Sequence, residues 1–175
     1  EDGKNEFLLT PGAFAVENIK LSADGKQMLF CANTGKDADD LDRRHVYQVS
    51  VDRADMRALS VGKGVESYPV IAGDGTVACL SSTAQRPLLP AILAKQEIKL
   101  LGEELLPADF PIKEMVIPKH VRFKAADGNT VYGQLFSPSK PVKNHPAIVY
   151  VHGGPQRQMM LGWNPMDYYS IDYAL

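Results

Sequence analysis

The sequence predicts a mostly β chain in two parts: two four-stranded antiparallel units, followed by the opening strands of an α/β unit. Three observations predict it. The stretch Val16-Glu-Asn-Ile-Lys-Leu-Ser-Ala-Asp-Gly25 is echoed by Val65-Glu-Ser-Tyr-Pro-Val-Ile-Ala-Gly-Asp-Gly75, a weak repeat with a period of about fifty residues and one residue inserted. Asp24-Gly25, Asp74-Gly75 and Asp127-Gly128 each stand between strand-like runs, a hairpin signal because both residue types tolerate the positive φ of tight turns. Finally, Ala147-Ile-Val-Tyr-Val151 is apolar without alternation, which suits a strand covered on both faces inside an α/β sheet.

In order along the chain, the first unit has Val16–Leu21, the run Gln27–Ala32, then His45–Val51 and Met56–Val61. The second has the echo beginning at Val65, then Thr76–Leu80, Ala91–Ala94 and Ile98–Leu101. Four short strands at this period match the blades of a β-propeller, and since a closed ring takes at least about four blades, these two would be the last arc of one. An ordinary antiparallel sheet with two similar hairpins fits the same spacing. Leu105-Leu-Pro-Ala-Asp-Phe-Pro-Ile112, with two prolines, marks a boundary that divides the chain into 1–107 and 108–175. Beyond it come a hairpin pattern over Val121–Phe136, a surface loop over Pro138–Pro146, and the apolar run.

Composition narrows the classes. With 19 basic and 21 acidic residues interspersed, the net charge is -2, and no basic face for nucleic acid or an anionic membrane is expected. At 45% hydrophobic residues the chain can pack a core, yet no run approaches the ~18 apolar residues of a membrane span, so a soluble chain is expected. The polar start Glu1-Asp-Gly-Lys-Asn-Glu6 is unlike a signal peptide, and the missing initiator methionine reads as an excerpt from a longer chain. Cys31 and Cys79 lie in apolar runs and are expected to be buried free thiols, which leaves the compartment open.

The chemistry concentrates in Tyr150-Val-His-Gly-Gly-Pro155. In acyl transfer the carbonyl oxygen becomes an oxyanion, and backbone N–H groups already aimed at it stabilise the transition state. Glycine allows the sharp turn and the close approach that this requires. A His-Gly-Gly loop straight after a buried strand has the form of the loop that supplies one oxyanion N–H in α/β-hydrolases.

Together with Phe123-Lys-Ala-Ala-Asp-Gly-Asn-Thr-Val-Tyr-Gly-Gln-Leu-Phe-Ser-Pro138, this motif resembles the junction region of prolyl-oligopeptidase-type serine peptidases. The resemblance runs from Val16 onward and includes Pro155-Gln-Arg-Gln-Met-Met-Leu-Gly-Trp163, which is similar to the bacterial dipeptidyl-peptidase-like branch. It implies that residues 1–107 are the C-terminal blades of a propeller and that 108–175 begin an α/β-hydrolase domain. It also implies that Gly154 donates a backbone N–H to the oxyanion while His152 and Gly153 shape the loop. In other branches a tyrosine near the position of His152 offers its hydroxyl, a role histidine cannot inherit. The implied substrate is a short peptide. No serine here stands in a GxSxG elbow, and the Ser, Asp and His triad is expected beyond Leu175, so the chain alone should be inactive.

Other candidates carry less. His45 and His120 flank strand-like runs and are expected at the surface or an edge; His145 sits in a Pro/Lys loop with no second ligand at metal spacing. Asp37, Asp39, Asp40 and Asp42 lack a calcium-loop pattern, because Leu41 and Arg43 interrupt it, and are expected as a solvated hairpin tip. Glu103-Glu104 lack the aromatic neighbours of the paired glutamates that bind a substrate amino terminus, and read as an exposed turn. No metal or other cofactor is expected. A raw propeller edge and an unfinished sheet would invite association between copies. Two other readings stand beside the peptidase: a non-catalytic propeller binding or scaffold module, and an esterase of the α/β-hydrolase fold.

Overall fold

The computed structural model describes residues 3–4, 6–138, 140, 143–144, 146–154 and 158–163. His145 and Pro155 through Arg157 lie outside them. The first four strands are β1 (Val16–Leu21), β2 (Gln27–Ala32), β3 (His45–Ser50) and β4 (Arg57–Ala58), hydrogen-bonded in that order as one antiparallel sheet. A second sheet repeats the order with β5 (Val65–Ile71), β6 (Val77–Thr83), β7 (Arg86–Ala94) and β8 (Glu97–Leu100). A third has two strands, β9 (Lys119–Lys124) and β10 (Thr130–Leu135). All three Asp-Gly pairs are turns. Gly25, Gly75 and Gly128 adopt φ of 70°, 86° and 84°, and the preceding aspartates accept the amides of Lys26, Thr76 and Asn129.

The repeat extends to an irregularity that the sequence did not announce. β1 shifts register between Glu17 and Lys20, and β5 between Ser67 and Val70; the left-handed residues are Asn18 (φ 51°) and Tyr68 (φ 50°). Each is a bulge, which bends its strand. β5 makes three ladder pairs before its bulge where β1 makes two, so the inserted residue lengthens the ladder by one pair. The bulges meet, with the Tyr68 amide donating to Asn18 Oδ1 at 3.4 Å.

Two apolar clusters flank the first sheet. Leu29, Cys31 and Val46 pack with Val77, Cys79, Ala91 and Leu93 of the second sheet. The alternate residues Phe30, Ala32, Tyr47 and Val49 pack on Leu9, Phe14, Met56 and Ala58, with the Phe30 and Tyr47 rings stacked 5.8 Å apart. β2 and β3 are therefore covered on both faces. Period-2 alternation sorts side chains between faces but does not say whether the second face meets solvent or another layer.

β7 is longer than expected, running back to Arg86 through Pro87 and Pro90. Proline survives there because β8 joins the ladder only from Ala91, so this half of β7 is an edge. The segment after the second sheet begins with a 3-10 turn over Glu103–Leu105, exposed at both glutamates as expected. It is tied down by Gln85 Nε2, which donates to the carbonyls of Ile112 and Met115 at 3.2 and 2.8 Å. The apolar run 147–151 is a correction: no strand forms there, and Ile148, Val149 and Val151 are 97%, 88% and 83% exposed. A strand of a doubly covered sheet is held by ladders on both edges, and no strand ladder among the described residues includes this run. Among the described residues no helix is long and apolar enough to cross a membrane.

Candidate functional site

The glycine loop follows directly on that exposed run. Gly154 is left-handed at φ +78°, a conformation in which a side chain is strained, and both Gly153 and Gly154 are exposed with open space where a Cβ would stand. His152 turns back on the loop, its Nδ1 3.2 Å from the carbonyl oxygen of Gly153, so the tautomer with hydrogen on Nδ1 is the one that can donate. That geometry fits a histidine that braces the turn.

Four residues past Gly154, the chain is fastened at an unexpected place. Gln158 Nε2 donates to the Leu41 carbonyl at 2.9 Å and to Asp42 Oδ1 at 2.7 Å, while its Oε1 accepts from Arg44 Nη2 at 2.9 Å. The Leu161 amide donates to the Asp42 carbonyl at 2.8 Å, and Gln134 Nε2 of β10 donates to the Met159 carbonyl at 3.0 Å. Gly162 lies so close to β5 that an added Cβ would stand 2.5 Å from Val65 Cγ2. Trp163 pairs with Phe110 at 5.8 Å.

All these contacts converge on the acidic turn, which corrects the expectation of a solvated tip. Asp37–Asp42 forms a capped 3-10 turn over Ala38–Asp42, and Asp40 within it is buried. Arg43, also buried, pairs with Asp40 at 3.1 Å, Asp37 at 3.3 Å and Asp39 at 3.6 Å. Arg44 reaches Glu17 of β1 at 2.8 Å. His120 lies on β9, an edge strand as expected, but its side chain is buried rather than at the surface, 3.3 Å from Asp42 and 3.7 Å from Asp39, and stacks on Tyr132. The turn is a hub joining β1, β3, the β9–β10 hairpin and the segment after the glycine loop.

His45 is the third correction, since it is 2% exposed. Its Nδ1 lies 3.1 Å from Glu66 Oε2 and its Nε2 3.2 Å from Asp40 Oδ1. Glu66, fully buried, also accepts from the hydroxyls of Ser60 at 2.7 Å and Ser81 at 3.3 Å. Burial of the imidazole pulls its pKa down, but the hydrogen bonds to Glu66 and then Asp40, with their charges, outweigh it and leave the pKa above the ordinary value. An imidazolium donating from both nitrogens suits two flanking carboxylates. Serine, histidine and two carboxylates here do not make a nucleophilic triad: Ser60 donates to Glu66 rather than to His45, and none of them reaches solvent.

The remaining candidates carry no reactive group. Cys31 and Cys79 are free and buried, and burial pushes both thiols up to about 12, so neither supplies a thiolate near neutrality. Among the described residues no group of three or more His, Cys, Asp or Glu could hold a metal ion. What sequence reasoning missed is the fastening of Gln158–Trp163 and the burial of Glu66. The tight Gly162 was a signal for the first, while nothing local distinguishes Glu66 from an exposed strand residue.

No protein-family model matches the chain. A probable dipeptidyl-aminopeptidase B from Aspergillus terreus is 26% identical over 166 residues, which cover 90% of this chain and 18% of that protein. Dipeptidyl peptidase 8 from Mus musculus and from Homo sapiens are each 33% identical over 52 residues, 29% of this chain and 6% of theirs. A solved structure of the AtxE2 isopeptidase with Astexin3-dC4 bound superposes on 73% of this chain and 19% of its own with a TM-score of 0.51 at 13% identity, a likeness of fold. The chain thus spans less than a fifth of the length of each of these proteins. Its curated relatives are dipeptidyl peptidases, of the prolyl oligopeptidase family that its glycine loop and junction residues resemble.

Proposed function

We propose that the chain is a segment of a serine peptidase that cleaves short peptides in the manner of a dipeptidyl or aminopeptidase. In this reading the two four-stranded sheets within 1–107 are the last two blades of a β-propeller, and 108–175 begin an α/β-hydrolase domain. The observation that carries it is the sequence relation to a dipeptidyl-aminopeptidase across 90% of the chain. Two features support it. Both sheets run in simple sequential order with bulged first strands side by side, as successive blades do. An exposed, left-handed Gly154 also leaves its surroundings open to a substrate.

The chemistry follows from that placement. A serine supplied from beyond this segment attacks the peptide carbonyl while a histidine takes its proton, and charge collects on the carbonyl oxygen. Gly154 donates its backbone N–H to that oxygen, and His152 and Gly153 hold the turn that aims it. An N–H of this kind is worth about 10²–10³ in kcat. No described or sequence-level serine has the elbow setting of a nucleophile, so the segment alone hydrolyses nothing.

A fluorophosphonate probe tests this directly. It is expected to label a longer chain that carries a GxSxG elbow and to leave this segment unlabelled. In the longer chain, replacing the Gly154 peptide N–H by an ester oxygen, which removes the donor and leaves φ free, is expected to lower kcat by about 10²-fold or more. Labelling of the segment itself, or an unchanged kcat in the ester variant, would count against the assignment.

A further inference from the structure

We infer that His45 is a proton-operated latch across the seam between the two four-stranded sheets: with hydrogen on both ring nitrogens it holds them together, and loss of one lets the seam part while each sheet stays folded. The latch is a property of the packed sheets and holds whether or not the chain is part of a peptidase. Glu66 of β5 is where polar groups bind the second sheet to the first. Its amide donates to the Arg44 carbonyl at 2.8 Å, and its carboxylate takes the Ser60 hydroxyl and His45 Nδ1 from the first sheet's side. The other ring nitrogen meets Asp40 of the acidic turn. Space around this link is closed. A Cβ on Gly64 would stand 2.6 Å from Glu66 Oε1, and one on Gly35 would overlap Asp40 Oδ2, so backbone lies directly over both carboxylates.

A neutral imidazole has a single N–H to offer two carboxylates. With that hydrogen on Nδ1 a lone pair meets Asp40, and with it on Nε2 a lone pair meets Glu66. The two acids do not lose equally. Asp40 keeps Arg43 at 3.1 Å and the Asp37 amide at 3.1 Å. Glu66 keeps the hydroxyls of Ser60 and Ser81, but among the described residues no second cation forms an ion pair with it. Arg86 of β7 donates to Ser81 and the Pro87 carbonyl and acts on Glu66 only at longer range, and Arg44 pairs with Glu17. Deprotonation therefore strands the carboxylate of the second sheet, and parting the seam relieves it by admitting water. The neighbours hold their state near neutrality: burial keeps the Tyr47 phenol and the Cys31 and Cys79 thiols protonated, and His120 faces Asp39 and Asp42 rather than Asp40. Burial lowers the His45 pKa, yet Glu66 and then Asp40 more than offset it, so the latch is complete below the unfolded value of about 6.5 and is lost as pH rises through the raised folded value.

Native-state amide exchange on the whole chain, corrected for the intrinsic base-catalysed rate, tests the latch. Between about pH 6 and about pH 9 the protection of the Glu66 amide is expected to fall about tenfold, the difference between a charge-assisted and a neutral hydrogen bond. At both ends it is expected to stay below the protection of the β2–β3 and β6–β7 ladders, because the seam parts before either sheet unfolds. The imidazole ¹⁵N shifts of His45 are expected to show both nitrogens protonated at the lower pH and to titrate with the same midpoint as the amide. His45→Gln, whose side-chain amide does not titrate, is expected to leave the Glu66 protection flat across that range. Constant protection in the parent sequence, a His45 already neutral at the lower pH, or the same pH dependence in His45→Gln would overturn the inference. So would a Glu66 amide as protected as the ladders throughout, which would place the change in global unfolding. Should His45→Gln fail to fold, agreement or disagreement of the two midpoints in the parent sequence decides alone.

Discussion

Two strand-like runs of this molecule exchange the environments their sequences imply. His45-Val-Tyr-Gln-Val-Ser50 mixes apolar and polar residues and yet is buried at every position. Ala147-Ile-Val-Tyr-Val151 carries no polar side-chain atom but the Tyr150 hydroxyl and is exposed throughout. Apolarity measures what a run gains from cover, whereas burial depends on which neighbours arrive to provide it. β3 has β2 and β4 on its edges and apolar clusters on both faces, and its polar residues are accommodated because partners reach them: Glu66 and Asp40 for His45, Arg57 for Gln48, Asp55 for Ser50.

The comparison can be broken most severely at His45. Replacement by Leu leaves Asp40 and Glu66 facing each other without a cation between them, and stripping one partner from a buried ion pair costs about 3–5 kcal/mol. Urea unfolding is expected to show a loss of that size, and a change below about 1 kcal/mol would mean that the cluster is not ionised. A smaller effect comes from pH. The His45 pKa is raised in the folded chain, so its stabilising contribution is complete below the unfolded value of about 6.5 and disappears as pH rises through the folded value. The unfolding midpoint is expected to fall between pH 6 and pH 9, and a midpoint that rises over that range would contradict the assignment.

The exposed run should respond in the opposite way. Val149→Lys is expected to alter stability by no more than about 0.5 kcal/mol, because that side chain is 88% exposed. Its effect should appear in association: sedimentation of the parent sequence is expected to show concentration-dependent self-association through this apolar strip, weakened by the lysine. A compact monomer at all concentrations would remove that role from Ile148, Val149 and Val151.

Legibility in the sequence follows the range of the interactions. The Asp24-Gly25, Asp74-Gly75 and Asp127-Gly128 turns were readable because each is decided within about four residues, and the strands they join fell in place with them. The repeat was readable for the same reason. By contrast, Gln158 meets Asp42 across 116 positions and His45 meets Glu66 across 21, so no local pattern marks either pair. The four aspartates of the acidic turn looked like a solvated tip because two of their partners, His120 and Gln158, lie far along the chain. His152, Gly153 and Gly154 were legible as a motif, but the fastening of Gln158 to the acidic turn was not.

Cys31 and Cys79 give the molecule a clock of its own. One thiol comes from each four-stranded sheet, and both are sealed in the seam where the sheets meet. Since a thiol reagent needs an accessible thiolate, its rate at either sulfur scales with how often that seam parts. Without any added label, the chain reports the breathing of the joint on which its two halves depend.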